Sequence, residues 1–236
     1  SSQTYTLTGA NAGNGGTLVW TSFENIADAG TGTLTASNQN WSLTGHNQGT
    51  VTNLAGTFSG IGNLIDTGTG HFFMHSGADG DISGNLDAGS NGSLDYSGYT
   101  TPVNVNLSGA GTTGVDGTTY GIEDVKGRRT LGVSGNTPGT LTITTNGAGT
   151  STTLGATTVG GNLLITSSGA VSQTGAALAV AGTTTVNAGT SAITLAGGSN
   201  DFGGVVNLAG GATQIRDMNA LTLGTVSTGA LTVNSG

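Results

Sequence analysis

A glycine-punctuated repeat of about 22 residues, one shorter in some copies, brings apolar residues back in three columns through the C-terminal part of this chain. The columns are, in order, Val159, Val180, Phe202 and Leu223; Ile165, Val186 and Leu208; and Val171, Ile193 and Ile215. One such repeat is too short to bury its own apolar residues, whereas stacked repeats bury them against one another and pair their backbones. Three columns per repeat favour three short strands and three turns. The sequence therefore predicts an all-β fold, a three-sided β-solenoid.

The composition agrees with short strands and tight turns. Glycine accounts for 46 of the 236 residues and proline for 2, without the every-third glycine of collagen. Disorder is disfavoured because 34% of the residues are hydrophobic and only 7% are charged. Thr and Val beside Gly and Asn are typical of strands that end in turns.

Charge and cysteine content exclude several kinds of partner and site. The net charge is −8, and the four cations are Lys126, Arg128, Arg129 and Arg216. A chain so poor in Lys and Arg lacks the positive surface that nucleic acids and anionic membranes bind, so we expect neither partner. The chain has no cysteine, which excludes a disulfide framework and a thiolate metal site.

The sequence contains no membrane or targeting signal. No segment approaches the roughly 20 apolar residues of a membrane helix, and no basic segment followed by an apolar one marks a signal peptide. Both ends lie within repeat-like sequence and lack the polar caps that terminal repeats carry. We therefore expect a fragment of a larger protein, or a processed piece that stacks end to end.

The composition changes near residue 129. Residues 1–129 hold all but one of the aromatic residues and all but two of the acidic ones, whereas residues 130–236 carry the regular short repeat. No Pro-rich or charged spacer separates the two regions, so we expect a continuous core across the boundary.

The first region has a longer repeat, which two pairs of matching segments define. Tyr5–Gly13 matches Trp41–Gly49 at an offset of 36, and Asn25–Gly32 matches Asn63–Gly70 at an offset of 38. A third echo, Gly121–Val125, resembles the turn at residues 60–64. We interpret the longer unit as two coils, which gives a solenoid of roughly 11 to 12 coils for the whole chain.

Several segments resemble the repeats of filamentous-haemagglutinin-like proteins, which Gram-negative bacteria export by two-partner secretion. The resemblance rests on Val159–Thr166, Asn200–Leu208 and Asn219–Gly224, with further likeness at Gly60–Leu64 and Leu94–Tyr99. It implies a right-handed parallel β-helix, export to the cell surface, and roles in adhesion, biofilm cohesion or contact with exopolysaccharide. The family has no common catalytic residues to carry over.

Two segments contain residue types that bind metal ions. His71 and His75 lie four positions apart, which on a strand separates them by roughly 13 Å, too far for one ion. The alternative is two polar side chains on one strand face, with Phe72 or Phe73 turned inward. Asp79 and Asp81 lie among glycines and are weak calcium candidates, although solvated turns of this kind are common. We expect no other metal or cofactor.

Two further features are candidates for ligand contact. Lys126, Arg128 and Arg129 form the only basic cluster, which would bind an anionic group or pair with nearby Glu123 and Asp124. Tyr99, beside Pro102, is the best candidate for an aromatic side chain that stacks on a sugar ring.

The predicted function is a non-enzymatic, structural and adhesive segment of a large secreted surface protein, located outside the cell on a Gram-negative bacterium. Its expected partners are exopolysaccharide or host and neighbour-cell glycans, together with end-to-end or lateral association of the chain into fibres. The alternative is a β-helix protein that binds or degrades polysaccharide. Degradation needs two carboxylates on one face. Only the first region has enough acidic residues to supply such a pair. We predict no catalytic residues. Specific recognition is expected between His71 and Arg129.

Overall fold

The computed structural model describes residues 3–75, 80–99 and 101–236, and every regular element among them is a β-strand. No helix in this part of the chain is long and apolar enough to cross a membrane. The first nine strands are β1 Thr4–Gly9, β2 Ala12–Gly15, β3 Leu18–Trp20, β4 Ile26–Ala36, β5 Asn40–Gly45, β6 Gln48–Val51, β7 Phe58–Asp66, β8 His71–Met74 and β9 Leu86–Tyr96.

The remaining strands are shorter on average. They are β10 Val103–Asn106, β11 Thr119–Gly127, β12 Leu131–Thr137, β13 Leu141–Thr145, β14 Thr152–Val159, β15 Leu163–Ser167, β16 Val171–Gln173, β17 Leu178–Val180, β18 Thr184–Asn187, β19 Ile193–Leu195, β20 Asp201–Phe202, β21 Val206–Gly210, β22 Thr213–Asp217, β23 Leu223–Thr228 and β24 Leu231–Ser235. The chain divides into two compact units: the first comprises Ser1–Tyr99 and Ser108–Ile122, and the second comprises Thr100–Leu107 and Glu123–Gly236.

The first unit is a mixed sheet with a closed portion. Its strand order is β9-β8-β5-β6-β7-β4-β1-β2-β3, and β9 also pairs with β7, so β5 to β9 form a closed five-stranded barrel. Four of the pairings in the sheet are antiparallel: β1 with β2, β2 with β3, β5 with β6, and β6 with β7. The other pairings, such as β5 with β8 and β8 with β9, are parallel.

Large aromatic side chains are buried in the closed barrel. Trp41 stacks on Phe72 with ring centroids 5.3 Å apart and meets Phe58 edge-on at 6.2 Å. Tyr96 and Met74 are likewise fully buried. Each such ring removes a large apolar area from water. This core explains part of the aromatic content before residue 129, whereas Phe23 and Tyr120 are exposed.

The second unit is built from parallel strands that pair at the repeat offset. One ladder runs β11, β13, β15, β18, β21 and β23, with β11 contributing from Asp124 onward. The other sheet runs β10, β12, β14, β16, β19, β22 and β24, and β14 also pairs with β17, which pairs with β20. Inward and outward residues alternate along strands such as β15 and β22, as a half-buried strand requires.

Registers in this unit show how far the apolar columns stack. The Ile165, Val186 and Leu208 column stacks as expected. Ile215, however, pairs with Leu195 and not with Ile193, and Leu223 pairs with Val206 and not with Phe202. Because Ile193 pairs with Thr213, two positions before Ile215, the last repeat is shorter and the register shifts.

The prediction of a right-handed, three-sided parallel β-helix of 11 to 12 coils is wrong. The structure is all-β and repetitive, but its first unit is a mixed sheet with antiparallel hairpins and a closed five-stranded barrel, and its second unit contains two sheets. The physical reason lies in the longer repeat of the first region. Residues 5–13 and 41–49 each form a tight β-hairpin, so the chain reverses direction where coil corners were expected.

Candidate functional site

The two hairpins of the first unit have the same turn and the same asparagine. In β1–β2 the turn residue Asn11 has φ +51°, and in β5–β6 Asn47 has φ +55°. Asparagine tolerates this left-handed conformation better than most residues, because its short side chain forms local hydrogen bonds. The duplication that is visible in the sequence is therefore a duplicated β-hairpin.

Both turn asparagines hold a neighbouring loop, and two of the hydrogen bonds are common to the two copies. The Asn11 N–H donates to the Asn53 carbonyl at 2.8 Å, and its Oδ1 accepts from the Ala55 N–H at 2.7 Å. The Asn47 N–H donates to the Asp81 carbonyl at 2.9 Å, and its Oδ1 accepts from the Ser83 N–H at 2.8 Å. The two asparagines thus fix equivalent loops with the same pair of contacts, and Asn47 Nδ2 adds a third bond to Ser83 Oγ at 2.9 Å.

We expect the Asn47→Gly protein to lose about 1 kcal/mol of unfolding free energy, because the φ angle stays accessible but the Oδ1 acceptor is removed. Asn47→Ala adds the left-handed strain and loses about 2 kcal/mol. Denaturant unfolding measures both. Asn91 is the matched control, because its φ is +56° and its exposed side chain has no hydrogen-bond partner among the described residues; Asn91→Gly should cost nothing measurable. Equal losses at the two positions would contradict the side-chain contact.

A second duplication joins an aromatic side chain to a carboxylate. The Tyr5 hydroxyl donates to Asp28 Oδ2 at 2.9 Å, and the Trp41 indole N–H donates to Asp66 Oδ2 at 3.0 Å. Tyr5 is equivalent to Trp41, and Asp28 to Asp66, in the two sequence matches of the longer repeat. Asp66 is fully buried, whereas Asp28 is only partly so.

The environment of Asp28 lowers its pKa. Burial acts to raise the pKa, but hydrogen bonds from Tyr5 and from the backbone N–H groups of Ala29, Gly32 and Thr31 outweigh it. A lowered pKa means that the ionised carboxylate stabilises the fold above its unfolded-state pKa, and this contribution is lost as the pH falls through the folded-state pKa.

An open groove of about 540 Å³ lies on the outer face of the closed barrel. Its lining comes from β5, β6, β8 and the loop after β6, and includes Asn40, Ser42, Thr50, Leu54 and Phe73. No lining residue is charged. The groove therefore combines an aromatic ring with uncharged polar groups.

His71 of β8 and His75, which directly follows β8, lie on either side of Phe73 along the chain. Phe72 points inward and is buried, while His71, Phe73 and His75 lie on the outer face. Ser42 Oγ lies 2.8 Å from His75 Nε2, and His71 Nδ1 lies 2.8 Å from Ser93 Oγ. Each histidine therefore has a different hydroxyl partner. No group of three or more His, Cys, Asp or Glu side chains suited to a metal ion occurs among residues 3–75, 80–99 and 101–236.

Tyr99 and Asp81 lie in the first unit, and Asp79 lies outside the described residues. Tyr99 is half-buried and meets Tyr96 edge-on at 5.1 Å; burial, and then the charge of Asp81, raise its pKa. The Asp81 carboxylate lies 2.8 Å from His46 Nδ1. Both side chains are thus engaged with their own neighbours.

The basic cluster lies at the end of β11. Lys126 Nζ is 3.5 Å from Asp124 Oδ2, while Arg128 and Arg129 are exposed in the turn before β12.

Sequence reasoning missed a structural role of asparagine that recurs in both units. In each case Oδ1 accepts an N–H from a neighbouring strand or loop: Asn25 from Thr57, Asn63 from Asn85, Asn85 from Thr118, Asn162 from Thr183 and Asn207 from Thr225. The distances are 2.8 to 2.9 Å. In the sequence, each of these asparagines stands just before an apolar strand residue. The preference of asparagine for turns explains the same pattern, so the pattern does not by itself indicate the hydrogen bond.

Comparison with known proteins gives one local match. A protein-family profile described as "Repeats of unknown function (DUF5649)" matches residues 138–209, under a third of the chain and within the second unit. No curated protein and no solved structure gave a significant match. The chain is thus similar over this segment to a repeat family whose function is itself unassigned.

Proposed function

We propose that the chain is a structural and adhesive segment of a larger secreted protein on the surface of a Gram-negative bacterium. The proposal includes contact with exopolysaccharide or cell-surface glycans and association of copies into fibres. It includes no catalytic role and no partnership with nucleic acid or the membrane interior.

The observation that carries this proposal is an outward row of uncharged polar side chains in the second unit. Paired registers place Thr153, Ser172, Thr194, Gln214 and Thr232 in one row across β14, β16, β19, β22 and β24. Adjacent members are ~4.8 Å apart, the spacing of paired strands. The whole stretch from residue 130 contains only Asp201, Arg216 and Asp217 as charged residues.

Such a row suits many weak contacts with a repeating hydroxylated partner. Each side chain offers one hydroxyl or amide, and the Thr153 and Ser172 hydroxyls are also hydrogen-bonded to each other at 3.1 Å. A single net hydrogen bond contributes only about 1 kcal/mol. Five groups at a fixed spacing bind a polymer by multivalency, since each contact after the first is made within the complex. A repetitive partner such as a polysaccharide or another copy of the row matches this spacing.

The proposal is tested by retention of the purified chain on exopolysaccharide-coated beads. We expect binding, and we expect the Ser172→Ala, Thr194→Ala, Gln214→Ala protein to be retained at least tenfold less, because three adjacent contacts are removed. The control changes Thr144, Thr166 and Asn187 to Ala in the shorter row of β13, β15 and β18.

Three results would count against the proposal. Absence of retention removes the adhesive role. An equal loss in the control protein shows that the five-residue row is not the adhesive surface. Release of sugar from the beads by the purified chain identifies a depolymerising enzyme.

A further inference from the structure

The groove on the closed barrel offers a compact set of uncharged contacts. The Asn40 side-chain amide and the Thr50 hydroxyl have no hydrogen-bond partner among the described residues, and both residues are exposed. Thr52 is already engaged, because its hydroxyl donates to the Asn40 carbonyl at 3.2 Å. Asn40 and Thr50 are therefore the polar groups that remain available to a ligand.

Phe73 supplies the apolar surface of the groove. Its ring is partly exposed and is held edge-on by His75, with centroids 4.5 Å apart. The same imidazole lies 2.8 Å from Ser42 Oγ through its Nε2. The ring is thus oriented by a neighbour that is itself anchored, which lowers the entropy lost when a ligand packs against it.

Strand registers set the size of the ligand. Phe73 pairs with Ser42, and Ser42 pairs with Thr50, so the aromatic ring and the Thr50 hydroxyl lie two strand spacings apart, roughly 10 Å. This span accommodates one to two sugar rings. The cavity volume of about 540 Å³ also falls within the range of small-molecule sites.

The wall of the groove is fixed before any ligand arrives. Leu54, Ala55 and Gly56 form it, and the Asn11 side chain holds Ala55, while the Gly56 N–H donates to the Glu24 carbonyl at 2.9 Å. The floor is Trp41, which is buried. A site with fixed walls and floor needs little rearrangement to bind.

The duplicated hairpin provides an internal comparison. In the first copy Thr6 pairs with Thr35, and in the second copy Ser42 pairs with Phe73. The aromatic ring therefore occurs in only one of two equivalent positions. Because Thr35 satisfies the strand equally well, the ring at Phe73 is not required by the hairpin itself.

We propose that this groove binds a neutral hexopyranose unit of a glycan, with the sugar C–H face on Phe73 and its hydroxyls on Asn40 and Thr50. The absence of charge in the lining selects an uncharged sugar over an acidic one, since a carboxylate or sulfate would lose its hydration without a cation to replace it. This inference rests on the proposed adhesive function and names the ligand class of one site within it.

The test is binding of neutral tetrasaccharides of glucose, galactose and mannose, followed by saturation-transfer NMR and titration. We expect binding by at least one of them, a loss of at least fivefold for Phe73→Ala and for Asn40→Ala, and no change for Thr35→Ala. Circular dichroism and the unfolding midpoint establish that the variants are folded. Where Phe73→Ala fails to fold, Phe73→Leu keeps the apolar volume without the ring and is expected to show the same loss.

Two outcomes overturn the inference: none of the tetrasaccharides binds, or they bind equally well to the Phe73 and Asn40 variants. Failure here is distinguishable from failure of the proposed function. If the Phe73→Ala protein is still retained on exopolysaccharide beads, the adhesive function is supported and the groove is not the adhesive site. If the tetrasaccharides bind but the beads retain no protein, the groove is a sugar-binding site and the proposed adhesive function is wrong.

Discussion

Asp66→Asn will lower the free energy of unfolding by about 3 kcal/mol or more, although it changes only one atom of the side chain. Asp66 Oδ1 accepts from the backbone N–H groups of Asn38 and Gly68, and Oδ2 accepts from Gln39 N–H and the Trp41 indole. Whichever way an asparagine amide is turned, its NH₂ group faces two N–H donors. Those donors are then buried without an acceptor, and denaturant titration measures the cost.

Asp28→Asn is the matched control for this prediction. Asp28 Oδ1 accepts from Ala29 and Gly32, Oδ2 accepts from the Tyr5 hydroxyl, and the Thr31 N–H also donates to the carboxylate. An asparagine can turn its NH₂ toward Tyr5, because a hydroxyl accepts as well as donates. We expect a loss below about 1 kcal/mol at this more exposed site. Equal losses at the two positions would show that the four-donor geometry of Asp66 is not what stabilises the barrel.

Gly60→Ala will cost on the order of 3 kcal/mol or more, because two separate penalties combine. Gly60 has φ +64°, which an alanine adopts only with strain. An added Cβ would also overlap the carbonyl oxygen of Asp28 on the paired strand β4, where only backbone could move away. The measured quantity is the unfolding free energy of the full chain.

Gly16→Ala separates the two penalties. Its φ is +61°, nearly the same, but the nearest atom to an added Cβ is the side-chain amide of Gln3 at 3.4 Å. We expect about 1 kcal/mol from backbone strain alone. The difference between the two variants then measures the close approach of backbones at Gly60. Gly89 and Gly121 repeat this arrangement, with an added Cβ overlapping the carbonyl oxygens of Gly68 and Gly89.

The sequence was sufficient to predict an all-β repetitive fold and part of its stacking. The Ile165, Val186 and Leu208 column was predictable because the spacing changes by only one residue there and the strands still pair in register. Ile215 was not, because the shortened last repeat moves it opposite Leu195. A register shift of this kind leaves the pattern of apolar residues in the sequence intact. It changes only which residue of the neighbouring strand each of them pairs with.

The architecture of the first unit could not be predicted from the spacing of the repeats in the sequence. Asn11 and Asn47 were correctly aligned with each other, but Gly and Asn serve both the corner of a coil and the turn of a hairpin. Only the pairing of Tyr5 with Gly15 and of Trp41 with Val51 shows that the chain reverses. The aromatic content was the sequence feature that could have indicated the barrel, since a closed barrel needs large side chains to fill it.

The candidate site was only partly predictable. Strand alternation correctly indicated that one of Phe72 and Phe73 turns inward, and that His71 and His75 share a face. The groove was missed because its wall comes from residues 54–56, which are held by Asn11 from a distant part of the chain. Contacts of that range depend on the topology, which the sequence pattern did not reveal.

The outward row of the second unit, proposed above as the adhesive surface, carries no charged side chain. Between about 0.01 and 1 M salt the screening length falls from about 30 Å to about 3 Å, and attraction between exposed charges falls with it. Hydrogen bonds from Thr194 or Gln214 carry no net charge and are not screened in this way. We therefore expect binding through this row to change little as ionic strength rises.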